Sequence, residues 1–157
     1  MLSLTRHSLD NQHFRRKDKW GESMLKVSRR LNYGLQLMIA LASDEKNSSK
    51  STAAISEQLA IPLPFLHQIA HTLQQNGLIK ATPGPKGGLK LGSKEKNITL
   101  YDIFAALEGQ FSVPTSESDG SIKENEIAVE VWTDVGEKIV NALKEYNLED
   151  LVTANKA

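Results

Sequence analysis

No cysteine occurs anywhere in the 157 residues, which removes disulfides, thiolate catalysis, zinc fingers and cysteine-ligated iron–sulfur clusters at once. Long apolar runs are missing as well. Nothing approaches the roughly 18 consecutive apolar residues of a membrane span, and residues 1–20 lack the apolar stretch of a secretory signal. The expected compartment is therefore cytoplasmic, with no membrane partner. Net charge is absent too, at 19 Lys and Arg against 19 Asp and Glu. What remains, 39% apolar and 24% charged residues, is the composition of a globular chain with enough length for one core, since domains run to about 100–150 residues.

The zero hides a division. Residues 1–100 carry 15 basic and 7 acidic side chains, whereas residues 101–157 carry 4 basic and 12 acidic. The chain thus has ends of +8 and −8, and the first suits a polyanion such as nucleic acid while the last serves another purpose.

Residues 1–23 show no sustained period of 2 or 3.6 and are expected to form a flexible extension or tag, ending where Met24 opens the ordered pattern. The basic cluster Arg15, Arg16, Lys17 and Lys19 within it is read as solvated. Residues 24–109 are expected to form one domain. Leu31, Leu35, Met38, Ile39 and Ala42 mark a first amphipathic helix, with Ser28 as its N-cap and residues 44–51 as a polar loop after it. Ser51 or Thr52 caps a short second helix with Ala54, Ile55 and Leu59 on one face. Two prolines interrupt, and Pro64 fits the first turn of a third helix, whose buried stripe is Leu66, Ile69, Ala70 and Leu73 and whose stop is Asn76-Gly77. Two short helices so joined outline a helix-turn-helix.

Residues 78–81 and 89–91 are β-like runs around a tip of Pro83, Gly84, Pro85, Lys86, Gly87 and Gly88. A hairpin in that place is a wing, and Lys80, Lys86 and Lys90 set positive charge along it. Thr99 caps a fourth helix with Leu100, Ile103, Phe104 and Leu107 inward and Gly109 as its stop, and residues 110–121 read as a loop. The segment 122–152 is expected to be a long helix followed by a short final turn at 147–152, with residues 153–157 frayed. Its stripe of Ile127, Val131, Val135, Ile139 and Leu143 is widened by Ala128, Trp132, Ala142 and Tyr146. Such a stripe is broader than one small neighbouring helix can cover, so a homodimer interface through Ile127, Val131, Trp132, Val135, Ile139 and Leu143 is expected. The other arrangement is a helix folded back on its own core.

The stretches MLKVSRRLNYGLQLMIALA, ISEQLAI to QNGLI, GPKGGLKLG and ITLYDIFAALEG resemble the Rrf family of bacterial winged-helix regulators, over residues 24–152. The resemblance implies a mainly α (α+β) fold: a winged helix-turn-helix domain with a two-stranded wing and a long C-terminal dimerisation helix. It implies a homodimeric transcription regulator, a repressor by expectation, on a pseudo-palindromic double-stranded DNA operator, with the third helix in the major groove and the wing in the adjacent minor groove. Expected DNA contacts are Ser28, Arg29 and Tyr33 around the first helix, and Ser51 and Thr52 at the start of the second. They continue with Pro64, Phe65, His67, Gln68, His71 and Gln75 on the third helix, and with Lys80, Pro85, Lys86, Gly87 and Lys90 on the wing.

Two departures qualify the resemblance. Many members hold an iron–sulfur cluster on three cysteines after the fourth helix, where this chain has Ser112, Ser116, Ser118 and Ser121. Serine alkoxide is a poor ligand for such a cluster and no histidine follows His71, so no cofactor is expected. The effector is left as a small molecule or a protein. The reading helix also has no Lys or Arg from residue 64 to 76. Glutamine suits adenine, so adenine contacts, apolar contact from Phe65 to a thymine methyl, and DNA shape would carry specificity.

Rival chemistries find little support. His67 and His71 stand at i, i+4, a spacing that can hold zinc, but Gln68 occupies the position where a zincin needs glutamate and no third ligand is evident. No metal site, phosphate-binding glycine loop or nucleophile and base pair is readable, so an enzyme is not expected. The alternative is a winged-helix module that binds proteins rather than DNA, suggested by the low charge of the third helix.

Overall fold

The computed structural model describes residues 27–92, 97–111 and 123–156; the expectations for residues 1–23 and for the serines of the 110–121 loop lie outside them. The first helix, α1 (Arg29–Ala42), starts where expected, because the Ser28 hydroxyl accepts the Leu31 amide at 3.0 Å and satisfies a donor that the first turn leaves open. Leu37, Met38 and Leu41 of α1 are almost wholly buried. At Gly34 a side chain would collide with Leu107, the Cβ position lying 2.2 Å from its Cδ1, so α1 packs closely on the fourth helix.

The polar loop after α1 is a strut. Asn47 adopts a left-handed conformation (φ 44°). Its side-chain amide pairs with both backbone groups of Leu91, accepting from the nitrogen at 3.0 Å and donating to the carbonyl at 3.4 Å. Lys50 then exchanges two backbone bonds of 2.8 Å with Leu89. Loop and hairpin are thereby stitched together.

In α2 (Thr52–Leu59) the cap is Ser51, whose hydroxyl accepts the Ala54 amide at 3.5 Å. Ile55 is buried and Leu59 half-buried, but Ala54 is exposed and not on the inner face as expected; a two-turn helix meets the core along one i, i+4 row, and Ala54 lies about 100° away from it. The turn into α3 (Leu63–Gln75) places Ala60 in the left-handed region (φ 52°) and buries Ile61, whose carbonyl accepts the Ser56 hydroxyl at 2.6 Å. Pro64 sits in the first turn, and Leu66, Ile69, Ala70 and Leu73 are all buried. The helix ends at Asn76, followed by Gly77 at φ 74°.

The wing is an antiparallel pair, β1 (Ile79–Thr82), shifted by one residue from the sequence expectation, and β2 (Gly88–Leu91), which begins one residue earlier than expected. Ile79 stands opposite Leu91 and Ala81 opposite Leu89, while Lys80 faces Lys90 on the other side of the sheet. Strand alternation thus sends Ile79, Leu89 and Leu91 into the core. Gly88 (φ 148°) is dictated by proximity, since a Cβ there would lie 2.1 Å from the Lys50 carbonyl oxygen.

Helix α4 (Leu100–Glu108) opens with a reciprocal cap in which the Thr99 hydroxyl accepts the Asp102 amide and the Asp102 carboxylate accepts the Thr99 amide at 2.8 Å. Helix α5 (Lys123–Glu145) packs on α4, with Val135, Ile139 and Leu143 half-buried and Lys144 lying 5.0 Å from the centre of the Tyr101 ring. Its other end is different: Ile127, Val131 and Trp132 are 52%, 54% and 57% exposed.

The C-terminal expectation needs correction. Residues 147–152 are not a mere turn on a dimerisation helix, and the tail does not fray at 153; they form α6 (Leu148–Lys156), which belongs to the core beneath α1. Asn147 accepts the Asp150 amide at 2.9 Å and caps it, the backbone of 146–148 pairs with that of 98–100, and Leu148 is fully buried. Leu148, Leu151 and Val152 form an i, i+3, i+4 stripe that is short in sequence yet sufficient once a neighbouring helix receives it.

Candidate nucleic-acid interface

The core stripe of α3 occupies one side of that helix, which leaves Pro64, Gln68, His71 and Gln75 on the opposite side, all exposed. These four recur at i, i+4, i+7 and i+11 and so form one outward row. Beside the row lies an open groove of about 960 Å³ between the start of α2 (Ser51, Thr52 and Ala53), the wing-facing flank of α3 (Leu63, His67, His71 and Gln74) and the wing itself. Three elements therefore present one concave surface.

The electrostatics come from its rims. The start of α2 (Ser51, Thr52 and Ala53) lines the groove, so the partial positive charge of that helix end lies at its edge. On the wing, Lys80 and Lys90 are directly opposed on the face turned away from the groove-lining Ala81 and Leu89, an arrangement that costs stability by like-charge repulsion and is relieved by an anion lying across both. Lys86 is exposed at the tip, beside Pro85 and Gly87. Gly87 is sterically required, as a Cβ would lie 2.0 Å from the Thr82 carbonyl oxygen.

Several expected contact residues lie elsewhere or are engaged. Ser28 caps α1 and donates to the Glu108 carboxylate, which commits its hydroxyl within the fold. Tyr33 and Phe65 are half-buried against the core and meet edge to face, with ring centres 5.7 Å apart at 84°. Phe65 is thus turned toward α1 and away from the groove, contrary to the expected contact with a thymine methyl. Arg29 is exposed in the first turn of α1, outside the groove lining. Ser51, Thr52, His67, Gln68, His71, Pro85 and Gly87 are brought together on the groove wall.

One residue escaped the sequence reading. Arg30 of α1 reaches across to α3, where its Nη2 donates to the Thr72 hydroxyl at 2.9 Å, while that hydroxyl donates to the Gln68 carbonyl at 3.1 Å. A guanidinium is therefore held beside the helix that has none of its own. The sequence signal was the pair Arg29-Arg30 itself; the crossing of α1 past α3 supplies its meaning. A further basic side chain near the interface, Lys50, is withdrawn, its ammonium donating to the Ala40 carbonyl at 2.7 Å in the last turn of α1.

Among the described residues no group of three His, Cys, Asp or Glu side chains is placed to hold a metal ion, and no helix is long and apolar enough to cross a membrane.

Comparison with known proteins bears on what such a surface does. The family model Rrf2, described as an iron-dependent transcriptional regulator, matches residues 27–154. The HTH-type transcriptional regulator CymR of Bacillus subtilis is 32% identical over 130 residues, covering 82% of this chain and 91% of that protein. The solved structure of CymR, titled as the global cysteine regulator of B. subtilis, superposes with a TM-score of 0.66 over 83% of this chain and 98% of the other. The structure of T. potens IscR superposes with a TM-score of 0.67 at 29% identity, over 83% and 88% of the two chains.

Proposed function

The chain belongs to the Rrf2 family of DNA-binding transcription regulators, and from that premise we propose that it acts as a homodimeric repressor reading a pseudo-palindromic operator without an iron–sulfur cluster. The observation that carries this reading is the groove between α3 and the wing, with His67, Gln68, His71 and Gln74 on one wall, the small residues of the wing (81–85, 87–89) on the other, and Lys86 exposed at the wing tip. Gln68, His71 and Gln75 offer donors and acceptors to base edges, glutamine being matched to adenine N6 and N7. Lys80, Lys86 and Lys90, with the start of α2, meet phosphates, which position the protein without selecting sequence.

The dimer rests on α5. Its exposed Ile127, Val131 and Trp132 continue the row of Val135, Ile139 and Leu143, and a two-fold axis lets the same stripe cover itself on both copies. Two reading heads then address two half-sites, and occupancy of a promoter by the dimer blocks it.

The family's description as iron-dependent is matched poorly by this chain's donors. With no cysteine, and with His67 and His71 lying in the groove, the residues do not fit an iron–sulfur cluster. No step of the mechanism passes through iron, and a small molecule or protein is left as effector.

Selection of bound duplexes from random DNA by the purified protein tests the reading. A palindromic consensus is expected, with affinity falling steeply as salt rises, by a slope near −0.9 per phosphate neutralised. Lys86→Ala should weaken all sequences alike, whereas Gln68→Ala or His71→Ala should relax preference at particular base pairs. Failure to enrich any DNA would favour the protein-binding alternative.

A further inference from the structure

The wing supplies cations on one side of the α3 reading row. The other side, facing α1, also needs a partner for the phosphate strand that borders a major groove only about 12 Å wide. We propose that Arg30, tethered to α3 through Thr72, is the phosphate clamp of that second strand; the assignment rests on the DNA-reading function proposed above.

Three observations support it. First, the position is right: on the helical wheel of α3, Thr72 lies on the α1-facing flank next to Gln68 and Gln75, opposite the flank of His67 and Gln74 that lines the groove. Second, the hydrogen bonds fix the guanidinium. Thr72 commits its own proton to the Gln68 carbonyl, so its lone pair is what receives Arg30. One donor of Arg30 is used in this way, and the side chain is exposed, so the rest of its planar fork, which suits phosphate, is open to solvent. Among the described residues, no carboxylate is paired with it.

Third, the charge is misplaced for the free protein. Arg29 and Arg30 occupy the first turn of α1, which has no acidic residue of its own, and two cations at a helix N-terminus oppose its dipole, only partly offset by the single Glu108 carboxylate that accepts from the N-cap Ser28 hydroxyl. A polyanion at that end converts an unfavourable arrangement into a favourable one. With Arg30 on one flank and the wing tip with its exposed Lys86 on the other, α3 has a cation on each side, which sets its depth and angle in the groove.

The test measures affinity for the selected operator as a function of salt by fluorescence anisotropy, with thermal melts confirming that each variant folds. Arg30→Ala should lower affinity about tenfold and reduce the salt slope by about 0.9, the loss of one phosphate contact, with base preferences unchanged. Arg30→Lys should keep the slope and lose several-fold in affinity, because the charge stays and the fork goes. Thr72→Val should keep the slope as well and weaken all sequences equally, because the tether alone is removed. An unchanged slope in Arg30→Ala overturns the clamp, and so does altered preference at one base pair, which would make Arg30 a base reader. If the wild-type protein binds no DNA, the DNA-reading function falls, and this assignment with it.

Discussion

Replacing Asn47 with alanine should destabilise the protein by about 2–3 kcal/mol, although the residue stands in a surface loop. Two effects add. The side-chain amide is the partner of the partly buried Leu91 amide at 3.0 Å and, more weakly, of the Leu91 carbonyl at 3.4 Å; leaving the donor unpaired costs about 1–2 kcal/mol. Asn47 also has φ 44°, a left-handed conformation that costs alanine about 1 kcal/mol more than asparagine. Asn47→Gly separates the two, since glycine accepts the backbone conformation and lacks the amide; its loss should be about 1–2 kcal/mol. Urea or thermal unfolding reads the totals, a midpoint shift of roughly 4–12 °C for the alanine variant. Amide exchange at Leu91 reads the local bond. If both variants unfold within 0.5 kcal/mol of wild type, or if Leu91 exchange is unaltered, the amide does not hold the wing. Because β2 carries Lys90 and closes the hairpin beneath Lys86, the same variants should also bind operator more weakly.

Val131→Asp should leave the protomer's stability nearly unchanged, because the side chain is exposed there, and should abolish the dimer by placing paired carboxylates near a two-fold axis; sedimentation showing an intact dimer would refute the α5 interface. Ala60→Gly should stabilise by about 0.5 kcal/mol, since relief of left-handed strain at φ 52° slightly exceeds the added entropy of the unfolded chain; a lower unfolding midpoint would contradict this. The Asp44 carboxyl is held below its ordinary value by hydrogen bonds from the Ser48 side chain and the Lys46 amide. Its contribution is therefore complete above the ordinary value of 3.8 and is lost as pH falls through the lower folded value. Protection of the Lys46 and Ser48 amides should decline only in that acid range, and a decline near neutrality would point to another group.

Helix positions were legible because their signals are local. Ser28, Ser51 and Thr99 cap helices by bonding amides three residues away, and the α3 stripe repeats within a single element. Contacts between distant segments gave no such signal. Asn47 meets Leu91 across 44 positions, and Arg30 meets Thr72 across 42. Leu148 read as part of a short final turn because its receiving surface on α1 lies more than 100 residues earlier in the chain. Phe65 was assigned outward on the strength of its place in α3; the docking angle of α1 turned it inward against Tyr33.

By itself, the sequence determined the winged-helix architecture, the inward α3 stripe of Leu66, Ile69, Ala70 and Leu73, the basic wing and the absence of cysteine ligands. These follow from periodicity, capping and composition, which are properties of single segments. Only the tertiary structure decided which charges reach the surface beside the outward row of α3. It withdrew Lys50 to the end of α1, engaged Ser28 with Glu108 and brought Arg30 to α3. The reason is geometric: a side chain's direction is set by the packing angle of its helix against others, and that angle depends on how distant apolar surfaces fit together.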